Sequence, residues 1–141
     1  MKNKRFLYLI LPVISLILEI LPYGAVCNFA NPSGEPWRKT FSYFSLTPFG
    51  YANFAPFITA VITCVIFAVL TVYCFTGNKK SENIAKLLLC IATVLSLCPL
   101  IFGVSFFSVT GALITLSLAA ELTLLCFTAK TNLRYMNLNS R

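Results

Sequence analysis

APFITAVITCVIFAVLTVYCF, residues 55–75, decides how this chain is read. The run holds no charged residue, and its length matches the roughly 20 residues that carry a helix across the hydrocarbon core of a bilayer. Working outward, three more apolar runs appear, at about 6–27, 83–102 and 108–129. The chain has 141 residues, 58% hydrophobic and only 11% charged, with a mean hydropathy of +0.84. Four spans leave too little chain for a separate soluble domain. The expectation is an all-α integral membrane protein, a single four-transmembrane-helix bundle over residues 1–141.

The basic residues give the threading. Lys2, Lys4 and Arg5 precede the first run, Lys79, Lys80 and Lys86 lie between the second and third, and Lys130, Arg134 and Arg141 follow the last. Four crossings return all three clusters to one side, leaving Arg38 and Lys39 on the other. That bias places both termini in the cytoplasm of a plasma-membrane protein. The net charge of +7 is not a nucleic-acid footprint, because the basic residues form no stripe along one face. A basic start before an apolar run also fits a signal peptide. The run is long for one, however, and contains Glu19, and no Ala-x-Ala site follows it, so a retained anchor is expected.

The long connection, residues 28–54, is expected outside the cytoplasm. The stretch Asn31-Pro-Ser-Gly-Glu-Pro36 reads as turns. Beyond it, Trp37, Phe41, Phe44 and Pro48 recur at helical spacing while Arg38 and Lys39 point elsewhere. The spacing predicts a short amphipathic helix lying in the interface, with the aromatics in lipid and both cations toward water. A strand is the rival reading, since Phe41 and Tyr43 alternate with Thr40 and Ser42.

Two acids lie deep in apolar runs, Glu19 and Glu121, and an intramembrane acid is a functional candidate by default. No Lys or Arg sits at similar depth, so both are expected to hold a proton much of the time. Tyr8, Pro12, Ser15, Glu19 and Tyr23 share one stripe of span one, which predicts a protein-facing side. Span four shows two polar faces. One carries Ser108, Gly111, Ala112, Thr115, Ala119 and Cys126, and the other Thr110, Ser117, Glu121 and Thr128. Two such faces predict a central position or a second contact in a homo-oligomer, unless the hydroxyls simply bond back to their own helix. Glu19 and Glu121 are estimated to differ by about 8 Å in depth, and side-chain tilt brings antiparallel neighbours closer. Spans one and four are therefore expected to be antiparallel neighbours whose acids meet. Glu19, Glu121, Ser15, Ser117 and Tyr8 are the candidate proton or cation site, with interhelical hydrogen bonding as the alternative role.

With no His and no Asp in the chain, no histidine base, aspartate dyad or histidine metal pair can form. No enzyme, metal or cofactor is expected. Cys64, Cys74, Cys90, Cys98 and Cys126 fall within apolar runs, where cysteine packs as a small hydrophobe. Ser15-Leu-Ile-Leu-Glu19-Ile20 is similar over a few residues to the first span of small multidrug resistance transporters. Pro22-Tyr23 departs from their Gly-Thr type pair, and the first loop is too long. A large first outer loop also resembles that of claudin-like proteins, but their paired tryptophans and cysteines are missing. Neither membership is inferred. The expected function is that of a non-catalytic membrane protein working through helix packing, the lipid bilayer and other membrane proteins. The alternative is a small proton- or cation-coupled transporter or channel-like oligomer.

Overall fold

The computed structural model describes residues 2–30, 34, 37–51 and 53–139, with side chains described from 6 to 49 and 53 to 128 where those ranges overlap. The described chain is mostly helical (77%). Three helices are long and apolar enough to cross a membrane, at Ala55–Thr76, Lys79–Phe102 and Val109–Thr128, and Phe6–Ile20 is a shorter apolar helix.

The chain enters through a 3-10 segment, Lys2–Leu9, that passes into α1, Ile10–Ile20. The sequence places the end of span one near Cys27, but the helix stops seven residues earlier. Leu21 stands before Pro22 and adopts φ −62°, ψ 140°, the extended geometry that a following proline ring imposes. The chain then forms an antiparallel hairpin from β1, Ala25–Phe29, and β2, Trp37–Phe41, with Ala25 opposite Phe41 and Phe29 opposite Trp37. The interfacial helix expected from Trp37 is therefore a strand. A spacing of four is even, so Trp37 and Phe41 share a face in a strand as well as in a helix. The backbone of β1 needs hydrogen-bond partners, and the strand at 37–41 supplies them along one edge. Pairing puts Lys39 on the same face as the aromatics, its Nζ 5.6 Å from the ring centres of both Trp37 and Phe41. Arg38 lies on the other face. A six-residue helix, α2, follows at Leu46–Tyr51. Except for Gly34, the expected turns at 31–36, Glu35 included, lie outside the described residues.

Helix α3, Ala55–Thr76, ends at Gly77, whose φ of 66° allows the left-handed cap and whose N–H bonds the Tyr73 carbonyl at 2.8 Å. Asn78 caps the start of α4, Lys79–Leu97, by accepting from the Lys80 N–H. Pro99 is expected to kink this span. In the structure the α-helix gives way to a 3-10 segment, Cys98–Phe102, because proline cannot donate to the carbonyl four residues back. A further 3-10 turn, Val104–Phe106, leads to α5, Val109–Asn139. The expected polar tail after residue 129 continues this helix to Asn139, and its side chains lie outside the described residues, as do those of Lys2, Lys4 and Arg5.

Side-chain contacts fix the packing. Glu19 meets Thr63 and Phe6 meets Phe75, so α1 runs antiparallel to α3. Ser15 meets Ser117 and Gly24 meets Ser108, so α1 also runs antiparallel to α5. Helix α4 packs between α3 and α5. Ile66, Leu70, Leu89, Ile114, Leu118 and Leu125 form the fully buried apolar centre.

Candidate functional site

Ser15, Glu19, Thr63, Ser96 and Glu121 point inward, whereas Tyr23, expected on the same stripe as Ser15 and Glu19, is 60% exposed because α1 ends at Ile20 before reaching it. Ser15 and Glu19 of α1 are both 0% exposed, one turn apart on the same face. Ser15 shares a 2.6 Å hydrogen bond with Ser117 of α5. Glu19 accepts a 2.8 Å bond at Oε1 from the Thr63 hydroxyl of α3, which also approaches the Thr59 carbonyl at 3.0 Å. Ser96 of α4 is bonded to Thr115 of α5. Each of these contacts joins two helices.

The two polar faces of span four have a simple use. Ser117 reaches α1 and Thr115 reaches α4, while Gly111, Ile114, Leu118, Glu121 and Leu125 fill the stripe between them. Ser117 and Thr115 thus flank one broad buried side of α5.

The two acids do not meet. Helices α1 and α5 are antiparallel neighbours, as expected of these two segments, but the Ser15–Ser117 contact sets their register. From that contact Glu19 lies four residues toward one end of the pair and Glu121 four residues toward the other. At 1.5 Å per residue they stand about 12 Å apart along the axis, beyond any hydrogen bond. Among the described residues, neither oxygen of Glu121, which is 1% exposed, has a hydrogen-bond partner, nor has Oε2 of Glu19. Tyr8 stacks on Tyr73 at 6.3 Å between ring centres instead of joining the acids.

Sequence reasoning missed Tyr43. This residue of the loop is 1% exposed and inserts between helix ends. Its N–H donates to the Glu19 carbonyl at 2.9 Å, the last turn of α1. Its ring lies against Gly24, where a Cβ would come within 2.7 Å of it, and its hydroxyl lies over Gly111. Ser96 is within hydrogen-bonding reach of that hydroxyl, and burial pushes the phenol up to about 12. Ser108 completes the junction. It caps α5 by accepting from the Gly111 N–H and donates to the Gly24 carbonyl at 2.6 Å. The available signal was the pair of glycines, since each allows a close approach and neither takes a positive φ that would itself require glycine.

Near the same end lies a partly open cavity of about 90 Å³. Strand residues 26–29 form one wall and Phe102 and Phe106 another. Asn53, 6% exposed, lines it, and both polar atoms of its carboxamide lack partners among the described residues. On the hairpin, Trp37 is 61% exposed and Phe44 also reaches the surface.

Among the described residues no group of three or more His, Cys, Asp or Glu is placed to hold a metal ion. No protein-family model matches the chain, and no curated protein or solved structure matches it.

Proposed function

We propose that this chain is a non-catalytic plasma-membrane protein that crosses the bilayer four times, keeps both ends in the cytoplasm, and acts by binding other proteins in or at the membrane. The observation that carries the reading is the use made of the interior polar groups. Ser15 with Ser117, Thr63 with Glu19 and Ser96 with Thr115 each tie one helix to another. Hydroxyl and carboxyl groups spent in this way hold a bundle together, each contact contributing about 0.6–2 kcal/mol.

The first crossing is the short one. Phe6–Ile20 spans about 23 Å as a helix, against about 30 Å of hydrocarbon. The buried turn and start of β1, Gly24 to Val26, extend the protein beyond it. The clustering of Lys and Arg at alternate connections supports the orientation, and Trp37 and Phe41 beside Lys39 suit the interface outside the cytoplasm.

One observation favours a second reading, a proton- or cation-coupled transporter or channel. Glu121 is buried with neither oxygen paired, which is costly unless the group is used. The deciding experiment is flux. Purified protein in sealed proteoliposomes is given a pH gradient, and dye-reported proton entry is compared with protein-free vesicles. The binding reading expects equal entry, unchanged by Glu19→Gln or Glu121→Gln. Protein-dependent entry that either variant abolishes selects the transporter. A fusion after Arg141 carrying a reporter active only outside the cytoplasm should be silent.

A further inference from the structure

We propose that the cavity between β1 and the α4–α5 connection receives the headgroup of a phosphocholine lipid of the outer leaflet, with the quaternary ammonium inside against phenylalanine rings and the phosphate outside on Arg38. Lipid recognition of this kind goes beyond partner binding and stands without it.

The cavity is small and aromatic. Phe29, Phe102 and Phe106 line it, and the rings of Phe102 and Phe106 meet edge to face with centres 6.4 Å apart. Aromatic rings attract a quaternary ammonium group through their negative faces, and this attraction needs neither an acid nor a hydrogen bond. No Lys or Arg lines the cavity, so nothing in its wall repels a cation. A cavity of ~150 Å³ holds a benzene ring, so on that scale about 90 Å³ takes about four heavy atoms, the size of a trimethylammonium group. Asn53 lines the same cavity, and neither polar atom of its carboxamide has a partner among the described residues. The group can therefore turn its oxygen toward a cation without breaking a hydrogen bond. A quaternary ammonium has no N–H to donate. The primary ammonium of phosphoethanolamine brings three donors, which phenylalanine rings do not satisfy.

Arg38 stands at the rim and not in the wall. In the sheet it lies opposite Asn28, a lining residue. Its Nη2 donates to the carbonyl of Phe107, next to lining Phe106, at 3.4 Å. The residue is exposed, and its guanidinium has the planar fork that matches two oxygens of a phosphate. Among the described residues of the hairpin and the α4–α5 connection there is no Asp or Glu to neutralise Arg38 or Lys39. Choline is joined to its phosphate by a short two-carbon link, so a cation held in the cavity leaves the phosphate at the rim. The surroundings select a lipid over a dissolved ligand. Ile101 and Val104, on either side of Phe102 and Gly103, are each 81% exposed, and an apolar patch of this kind belongs against a membrane.

The test uses the full chain in nanodiscs that hold equal amounts of phosphatidylcholine, phosphatidylethanolamine and phosphatidylglycerol with the same acyl chains. Native mass spectrometry then counts the lipids that stay bound. The expected result is one phosphatidylcholine, retained about tenfold over each of the other two. Arg38→Gln should lower that retention about tenfold, the loss of a charge-assisted contact. Phe106→Leu keeps an apolar wall but removes a ring, and should lower the choline preference about threefold. Equal retention of the three lipids, a preference for either of the other two, or a preference unchanged in either correctly folded variant overturns the proposal. So does glycerophosphocholine, added from the buffer, binding as tightly as the lipid, which would make the site one for a dissolved ligand. The comparison of headgroups needs no variant and stands even where Phe106→Leu does not fold.

Discussion

Replacing each buried acid by leucine should move stability differently at the two positions. Glu121 has no partner for either oxygen and lies on the same helix face as Leu118 and Leu125, one turn away on each side. A buried polar group without a partner costs about 1–3 kcal/mol. Leucine is of similar size and adds apolar contacts, so Glu121→Leu should stabilise the protein by about 1–3 kcal/mol. Glu19 differs because it accepts from Thr63, a contact of about 0.6–1.7 kcal/mol between helices. Removing it does not strand the threonine, whose hydroxyl still has the Thr59 carbonyl at 3.0 Å. Glu19→Leu gains from removing the unpaired Oε2 and loses the Thr63 bond, so it should fall short of Glu121→Leu by about 1 kcal/mol. The assay is reversible unfolding in mixed micelles, followed by Trp37 emission, with Thr63→Val completing a double-mutant cycle. Coupling should appear between 19 and 63 and be absent between 121 and 63. A Glu121→Leu protein destabilised by more than about 1 kcal/mol would refute the account, because it would mean that the carboxyl has a partner in the working protein. Zero coupling between Glu19 and Thr63 would refute the interhelical role.

Gly24→Ala should cost about 1–3 kcal/mol, because the new Cβ would lie 2.7 Å from the Tyr43 ring, which a backbone bond to Glu19 holds in place; pairing it with Tyr43→Leu should recover most of the loss in the same unfolding assay. Alkali should destabilise the fold through Tyr43. Its phenol ordinarily ionises near 10 and in the fold near 12, so above pH 10 the unfolded chain releases the proton first and stability falls as pH rises toward 12, by up to about 3 kcal/mol. Tyr43→Phe should remove that part of the alkaline slope, and the late component of phenolate absorbance should lose one phenol in the same variant. Lipid-attached quenchers should dim Trp37 in an intact bilayer, and fully water-like, unquenched emission would contradict its placement at the interface.

The sequence by itself determined the membrane class and the inward faces. A run such as 55–75 has few other uses, and apolar periodicity is a local property that composition carries directly. It likewise placed Ser15 and Glu19 inside, since a polar stripe on an apolar helix has only protein to face. The end of α1 was half legible. Pro22 announced a break, but hydropathy continued to Cys27 and hid it, because a buried strand is as apolar as a helix. Only the tertiary structure decided the rest. Trp37–Phe41 fits both periods, so the need of β1 for hydrogen-bond partners settled it as a strand. The acids were near enough in estimated depth to be expected as a pair, yet the Ser15–Ser117 contact fixed a register that separates them by about 12 Å. The two polar faces of span four were visible, but not which neighbour each would meet. Tyr43 and Asn53 carried no local signal at all, since their burial comes from chain segments far away in sequence. Register and neighbour choice depend on the fit of whole surfaces, and that fit is not a property of any one stretch.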